Sequence, residues 1–379
     1  MDKYAFSDCV DLVGSACTEF SGEKYYVSTG AVNEDHINWS AVERVDYTGK
    51  PSRANLSVET GDILFAKMQG TKKTLYITEE LSENIYSSGF CAVRPCSKLL
   101  TSKCLFYLLT SKTFLNQKDK YCSGATQKAI TNSGLQKIFI ILPPIDQQIS
   151  IAKQLDLISN IIKTKESELQ KLDDLVKAKF VEMFGDPLSN PNGLPTKKLS
   201  ELGSLDRGRS KHRPRNAPEL LDGPYPLIQT GDVAAAGLYI TEYHSTYSEL
   251  GLKQSKMWKA GTLCITIAAN IAETAIMTFD ACFPDSVVGF VPNGEVSSVY
   301  MHYWFDFFQR ILEEQAPQVA QKNINLKILS DLSVIVPQQD QLHTFEDFVF
   351  QVDKSKVAVQ RSLNETQILF DSLMQKYFG

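Results

Sequence analysis

Apolar residues recur every three or four positions in two long stretches of the chain, and this pattern predicts two long helices. The first stretch is Leu142–Gly185 and the second is Val336–Gly379. Steps of three and four place these residues on one helix face, and their seven-residue repeat is that of a coiled-coil seam. A helix over Asp146–Phe184 would be roughly 58 Å long at ~1.5 Å per residue. A rod with one apolar face needs a partner to cover it.

The partner is expected in the same chain, because the two stretches align without a gap at an offset of 194. Pro143 aligns with Pro337, and Phe184 aligns with Phe378. Proline is favourable in the first turn of a helix, and Gly185 can end one with a positive φ. The matching seams predict that the helices pack on each other. The predicted helix-pair interface consists of Leu155, Ile158, Ile162, Leu169, Leu172, Val176, Val349, Val352, Val359, Leu363, Phe370 and Leu373.

The repeat extends upstream of both helices, more weakly. Gly61–Phe65 resembles Gly261–Ile265 as a turn glycine followed by a buried strand. Segments 102–115 and 298–312 both predict helices rich in aromatic residues and leucine. The predicted fold class is therefore α+β, with two pseudo-repeated mixed α/β globules joined by two long helices. The predicted divisions are a first globule at 1–142, a helix at 143–185, a second globule at 186–336 and a helix at 337–379.

Composition and charge indicate the class of protein and the compartment in which it works. The chain has 379 residues, 43% of them hydrophobic and 22% charged, which is ordinary for a globular protein. Neither a signal peptide nor a membrane span is predicted, and the eight scattered cysteines indicate reduced thiols in a cytoplasm. The net charge is −5, so any nucleic-acid surface is expected to be local.

No catalytic or metal-binding motif is evident. The chain lacks G-x-G-x-x-G, P-loop and H-E-x-x-H patterns, and its five histidines lack metal-like spacing. Cys122 and Cys264 are candidate nucleophiles in principle, but neither is accompanied by a histidine motif that would activate its thiol. The sequence therefore predicts neither a metal site nor a cofactor site in this chain.

Two clusters of cations are candidate phosphate and base contacts, since lysine and arginine neutralise phosphates and arginine can chelate a guanine edge. The alternative is that both clusters are solvated surface loops. The first cluster follows a predicted strand and comprises Lys67, Gln69, Thr71, Lys72 and Lys73. The second lies in a Gly- and Pro-containing segment without acids and comprises Arg207, Arg209, Lys211, His212, Arg213 and Arg215.

Two further features have structural and DNA-binding interpretations. Gln127-Lys128 recurs as Gln321-Lys322, either as a repeated turn or as a contact. Aromatic side chains of the second globule lie either in its core or in a DNA groove, and core positions are the commoner for such residues. These side chains, with one neighbouring histidine, are Tyr243, His244, Tyr247 and Trp258.

Taken together, the motifs resemble those of the specificity (S) subunits of type I restriction–modification systems. The resemblance is carried by LPPIDQQISIAKQLD and KAKFVEMFGDP around the first long helix, and by Gly208–Asn216. The second helix departs from the pattern, because Gln338 replaces the second proline and Leu342 replaces the second glutamine.

The resemblance implies that each globule is a target recognition domain for one half of a split double-stranded DNA site. It implies that the long helices pack antiparallel, set the spacing and dock two methyltransferase (M) subunits. Restriction/translocase (R) subunits would join for cleavage. The chain itself would be non-catalytic, with S-adenosylmethionine, ATP and Mg in the partner subunits, in a bacterial or archaeal cytoplasm.

Two other functions compete with this interpretation. A coiled-coil adaptor whose globules bind protein or peptide would have no affinity for DNA even with methyltransferase partners present. A cysteine hydrolase would show cysteine-dependent activity as an isolated chain.

Overall fold

A computed structural model describes residues 2–212, 214–268, 271–307 and 324–379. The chain forms two compact units. The first unit is Met1–Ser167 together with Gln360–Gly379, and the second is Glu168–Val359. Each unit therefore contains a globule and about half of each long helix. No helix in the described ranges is both long and apolar enough to cross a membrane.

The first unit is built mainly from short strands around a few helices. Its strands are β1 (Asp2–Ala5), β2 (Val10–Val13), β3 (Lys24–Val27), β4 (Val32–Asn33), β5 (His36–Ile37), β6 (Glu43–Val45), β7 (Ala54–Leu56), β8 (Ile63–Ala66), β9 (Thr74–Tyr76), β10 (Ile85–Ser87), β11 (Phe90–Pro95), β12 (Cys122–Ser123), β13 (Ala129–Ile130) and β14 (Phe139–Leu142). Its helices are α1 (Phe6–Cys9), α2 (Glu79–Ser82), α3 (Ser102–Thr110), α4 (Lys112–Lys120), α5 (Asn132–Leu135) and the first part of α6 (Ile145–Phe184).

The second unit repeats this construction. Its strands are β15 (Thr196–Lys198), β16 (Gly203–Arg207), β17 (Leu221–Leu227), β18 (Tyr239–Ile240), β19 (Ser245–Tyr247), β20 (Met257–Trp258), β21 (Leu263–Thr266), β22 (Thr274–Met277), β23 (Ala281–Cys282), β24 (Val287–Pro292) and β25 (Ser333–Ile335). Its helices are α7 (Thr230–Ala235), α8 (Glu249–Lys253), α9 (Ser298–Phe305), α10 (Leu326–Asp331) and the first part of α11 (Gln339–Phe378).

Three sheets of the first unit have counterparts with the same strand order in the second. Sheet β2-β11-β8-β9 matches β16-β24-β21-β22, to which β18 adds an edge strand. Sheet β6-β3-β10-β7 matches β19-β17-β23-β20, and in both the central pair is parallel and its outer neighbours are antiparallel. The pair β1-β14 matches β15-β25. The predicted sequence repeat is therefore confirmed as a repeat of topology.

Strands β8 and β21, which are interior strands of matching sheets, share the same burial and the same preceding turn. All four residues of each strand are buried. Each strand follows a turn glycine with a positive φ, +88° at Gly61 and +87° at Gly261. A side chain at such a φ is strained, so both turns retain glycine. The predicted correspondence of these two segments is confirmed.

The predicted helix over 102–115 was wrong as a single element. Helix α3 ends at Thr110, and Ser111 has extended backbone angles (φ −68°, ψ 144°). The hydroxyl of Ser111 accepts a hydrogen bond from the Phe114 backbone N–H and begins α4. The helix predicted over 298–312 ends at Phe305, and positions 308–312 lie outside the described residues.

Helices α6 and α11 begin and end at aligned positions of the two repeats, and each has 40 residues. At the start of α6, the fully buried Gln148 side chain accepts a hydrogen bond from the Thr101 N–H and donates to the Leu99 and Pro143 carbonyls. Leu342, the aligned residue, is also buried but apolar. The departure from the motif at Leu342 therefore replaces a polar anchor with an apolar contact.

Burial along the long helices follows the predicted seam, whose residues are all buried or half-buried. In the second unit, Asp173 pairs with Lys356, and the ring of Phe184 packs on that of Phe345 at 5.3 Å. Residues later in α6 thus contact residues earlier in α11, which makes this segment antiparallel. In the first unit, the Tyr377 hydroxyl near the end of α11 lies 3.4 Å from Gln154 Oε1 near the start of α6.

Candidate nucleic-acid interface

The first predicted cluster forms the connection between β8 and β9. Lys72 and Gln69 are exposed, whereas Lys67, Thr71 and Lys73 are half-buried. The ammonium of Lys73 donates to the Thr29 carbonyl at 2.7 Å. This hydrogen bond ties the β8–β9 loop to the turn that follows β3. The structure therefore brings the five predicted residues into one short loop, of which Lys72 is the most available cation. Contact with DNA remains a prediction for all five.

A lysine that the sequence analysis missed lies beneath this loop. Lys118 on α4 is fully buried, and its ammonium donates to the Met68 carbonyl at 3.0 Å and the Thr71 carbonyl at 2.8 Å. The neighbouring Asp119 carboxylate accepts the Gly70 N–H at 3.1 Å. The sequence signal was weak, because one lysine in an amphipathic helix reads as surface.

A second loop lies beside the first. The Gln69 N–H donates to the Lys128 carbonyl, and the Ile130 N–H donates to the Lys67 carbonyl, both at 2.9 Å. Thr126, Gln127 and Lys128 are exposed at the tip of the β12–β13 hairpin. The Gln127-Lys128 pair therefore lies in a turn that adjoins the first cluster, and its contact with DNA stays a prediction. Its repeat at 321–322 lies outside the described residues.

The second predicted cluster begins on β16 and continues as a loop fixed by backbone contacts. Gly208 donates its N–H to the Val287 carbonyl at 2.9 Å. A Cβ on Gly208 would come within 2.2 Å of the Pro284 carbonyl and 2.3 Å of the Phe283 carbonyl. Glycine is thus required by the close approach of two backbones. Farther along, Gln254 Oε1 accepts the N–H groups of Lys211 and His212.

The cations of this segment have different environments. Arg207 donates twice to the Asp285 carbonyl, at 2.9 and 2.6 Å, and Arg215 pairs with the Asp285 carboxylate. Arg209 and Lys211 are exposed, and no acid among the described residues lies within ion-pair distance of their side chains. His212 is half-buried, and Arg213 lies outside the described residues. Arg209 and Lys211 are therefore the predicted contacts most available to a phosphate or base.

The aromatic residues of the second unit divide as their chemistry suggests. Tyr247 and Trp258 are buried, and Trp258 stacks on Phe283 with ring centroids 4.7 Å apart. Tyr243 and His244 are exposed, and His244 Nδ1 lies 2.9 Å from the Asp232 carboxylate. The core interpretation is correct for Tyr247 and Trp258 and wrong for Tyr243.

The two cysteines considered as nucleophiles lie in environments that disfavour a thiolate. Cys264 is fully buried, and burial raises its pKa far above the ordinary thiol value. Burial also raises the pKa of half-buried Cys122. Among the described residues, no cluster of three or more His, Cys, Asp or Glu side chains is arranged to hold a metal.

Another group that the sequence analysis missed is a polar cluster in the second unit, around a cavity of about 320 Å³. His302 on α9 has its Nδ1 2.9 Å from the Thr274 hydroxyl. Burial, and then the nearby Lys356, lower the pKa of His302 to about 4. Lys177 pairs with Asp306 at 3.6 Å. Lys356, which pairs with Asp173 on α6, also lines this cavity.

Comparison with known proteins gives a consistent result. The family model for the type I restriction modification DNA specificity domain matches residues 12–173 and 191–366. The HindI type I restriction enzyme specificity subunit of Haemophilus influenzae is 20% identical over 405 residues, covering 86% of this chain and 87% of its own.

Two solved structures share the fold. The type I restriction-modification S subunit from M. genitalium is 15% identical with a TM-score of 0.60, over 100% of this chain and 96% of its own. A chain from a study of complex assembly and conformational transition of the type I R-M system is 18% identical with a TM-score of 0.56. That match covers 99% of this chain and 97% of the other.

Proposed function

Since the chain belongs to the type I restriction modification DNA specificity family, we propose that it is the sequence-recognition subunit of a type I restriction–modification complex. Each unit reads one half of a bipartite double-stranded DNA target, and the paired helices set the spacing between the halves. The chain does no chemistry itself. Methyltransferase subunits bring S-adenosylmethionine, restriction/translocase subunits bring ATP and Mg, and the complex works in the cytoplasm.

The observation that carries the proposal is a duplicated topology with unlike loops. Three sheets of the first unit recur with the same strand order in the second, which gives both units the same framework. The basic residues lie in different connections, after β8 in the first unit and after β16 in the second. Because loops on a rigid framework carry recognition, two such units suit a target whose halves differ in sequence.

Exposed apolar residues on the long helices support docking of two copies of one partner. Leu175 of α6 and Leu369 of α11 occupy aligned positions in the repeat and are 47% and 50% exposed. Leu157 and Phe350 are 63% and 61% exposed. Apolar side chains repeated on an outer helix face are typical of a protein–protein contact. Leu157 and Phe350 do not align with each other, so the equivalent pair is Leu175 and Leu369, which suits one methyltransferase subunit on each half.

A charge-removal experiment tests the DNA contact. In the complex assembled with methyltransferase subunits, Arg209→Gln combined with Lys211→Gln should weaken DNA binding by about tenfold or more near physiological salt. The slope of log affinity against log salt should fall by about 1 where Arg209 contacts a base edge and by about 2 where it contacts a phosphate, since each phosphate contact contributes ~0.9. Binding is measured by titrating labelled duplex at several salt concentrations.

The matched control is Lys198→Gln with Lys259→Gln, which removes the same charge. These lysines are already paired with Asp331 and Asp280, at 2.9 and 2.7 Å, so near wild-type affinity is expected. Unchanged affinity and unchanged salt slope for the Arg209/Lys211 variant would remove this segment from the DNA-contact surface. Absence of DNA binding by the wild-type complex would favour the adaptor function instead.

A further inference from the structure

A buried cation holds the first basic loop in place. Lys118 is 0% exposed. Its three N–H bonds can serve the Met68 carbonyl at 3.0 Å, the Thr71 carbonyl at 2.8 Å and the Asp119 carboxylate at 3.3 Å. Burying an ammonium is costly unless its donors are satisfied. Fixing these two carbonyls therefore determines where the intervening loop residues lie.

The same loop is fixed from a second side by the β12–β13 hairpin. Met68 bridges Ala129, and the Gln69 N–H donates to the Lys128 carbonyl. A Cβ on Gly124, in this hairpin, would come within 2.5 Å of the Gln127 carbonyl, and its φ is +135°. The hairpin is thus a tight turn rather than a loose loop. Loop and hairpin form one continuous surface.

The charge of this surface matches a polyanion. Its side chains include Lys67, Lys72, Lys73 and Lys128, and the neighbouring Asp119 carboxylate already accepts the Gly70 N–H and pairs with Lys118. Exposed amides and hydroxyls lie among the cations at Gln69, Thr126 and Gln127. Lysines with interspersed amides suit phosphates and base edges.

We propose that Lys118 is the positioning residue of this DNA-contact surface: its buried ammonium fixes residues 67–73 against residues 122–130, so that both bind one DNA segment. Lys118 is too buried to touch DNA itself. It acts through the loop it holds. This inference rests on the proposed function. It adds Thr126 to the first unit's predicted contacts and adopts the contact interpretation of Gln127 and Lys128.

The test uses Lys118→Gln in the full-length chain assembled with methyltransferase subunits, with Lys112→Gln as the control. Lys112 is an exposed residue on the same helix, so the control loses the same charge without touching the loop. Hydrogen exchange of the DNA-free complex is measured first. Lys118→Gln should speed exchange of peptides covering 67–73 and 122–130 severalfold, with exchange in β8 and in the second unit unchanged. Lys112→Gln should match wild type.

DNA titration is the second readout. Lys118→Gln should weaken binding by about tenfold and lower the salt slope by one or more, as if phosphate contacts had been lost, while Lys112→Gln binds like wild type. A second substitution, Lys128→Gln, should lower affinity and salt slope without changing exchange, because it removes a contact and leaves the support intact.

The outcomes separate the two levels of the proposal. If wild-type complex binds DNA but Lys118→Gln matches it in exchange and affinity, Lys118 has no positioning role and the proposed function stands. Faster exchange throughout the first unit would make Lys118 an ordinary core residue and overturn the positioning role, and Lys128→Gln would still report whether the hairpin contacts DNA. Wild-type complex that does not bind DNA would overturn both.

Discussion

At the scale of single residues, the structure shows which polar side chains are anchors and which are free to bind. Lys118 and Gln148 are fully buried and serve backbone groups, whereas Arg209, Lys211 and Lys72 are exposed. Residue type alone does not separate these classes, because lysine occurs in both. Burial and hydrogen-bond partners do.

His302 gives a prediction of pH dependence. Its pKa is lowered to about 4 by burial, Lys356 and Lys177, while the hydrogen bond with Thr274 and the Asp173 carboxylate oppose them. Between pH 6.5 and 4 the unfolded chain therefore binds more protons than the folded one. The histidine's contribution is present above pH 6.5 and is lost as pH falls, at up to about 1.4 kcal/mol per pH unit.

The check is urea unfolding of wild type and His302→Gln at pH 7 and pH 5. Glutamine keeps a hydrogen-bonding group near Thr274 but does not titrate. The loss of stability between the two pH values should be smaller in the variant by about 1–2 kcal/mol. The raised pKa of Asp306 acts in the opposite direction in both proteins and cancels in the comparison. Equal losses would mean that His302 is solvated.

At the scale of elements, the long helices were predictable because their periodicity is sustained over 40 residues. The break between α3 and α4 was not predictable, because it depends on one residue, Ser111, whose hydroxyl caps the start of α4. The central strands were predictable from a turn glycine and an apolar run. The basic clusters were predictable as cation-rich segments. The buried support of the first cluster was not, because it comes from Lys118, which is 50 positions from Met68 in the chain.

A pair of leucines tests the assigned helix faces. Leu155→Ala should destabilise the first unit by about 2–5 kcal/mol, because Leu155 is fully buried in the core and its truncation leaves a cavity. Leu157→Ala is the matched control. Leu157 is 63% exposed, so its truncation should cost less than about 0.5 kcal/mol. Urea midpoints measure both, and similar losses for the two variants would contradict this assignment.

At the scale of the whole molecule, the two frameworks are alike and their recognition loops differ. Whole-chain duplication was predictable from the aligned helices, and matching sheets confirm it. The bases that each unit reads were not predictable, because they depend on side-chain positions in loops whose sequences differ between the two halves. We therefore expect each unit to read its own half of the target independently of the other.

That expectation predicts one-sided changes in specificity. Gln69→Ala in the first unit should relax base preference in one half of the target, and Arg209→Gln in the second unit should relax it in the other. Each lost bidentate contact is worth ~1–3 kcal/mol of discrimination. The measurement is sequencing of methylated products from a randomised target library. Relaxed positions scattered over both halves for either variant would contradict separate reading.

The first unit includes residues from opposite ends of the sequence, which has a consequence for biosynthesis. Phe378 is buried in the core that also contains Phe6 and Leu155, and Phe370, Leu373 and Tyr377 pack against it. During translation, these early residues leave the ribosome long before the segment that covers them. Part of the apolar core of the nascent first globule therefore stays exposed until residues 360–379 emerge from the ribosome. A message truncated before that segment would yield a product prone to chaperone capture and proteolysis.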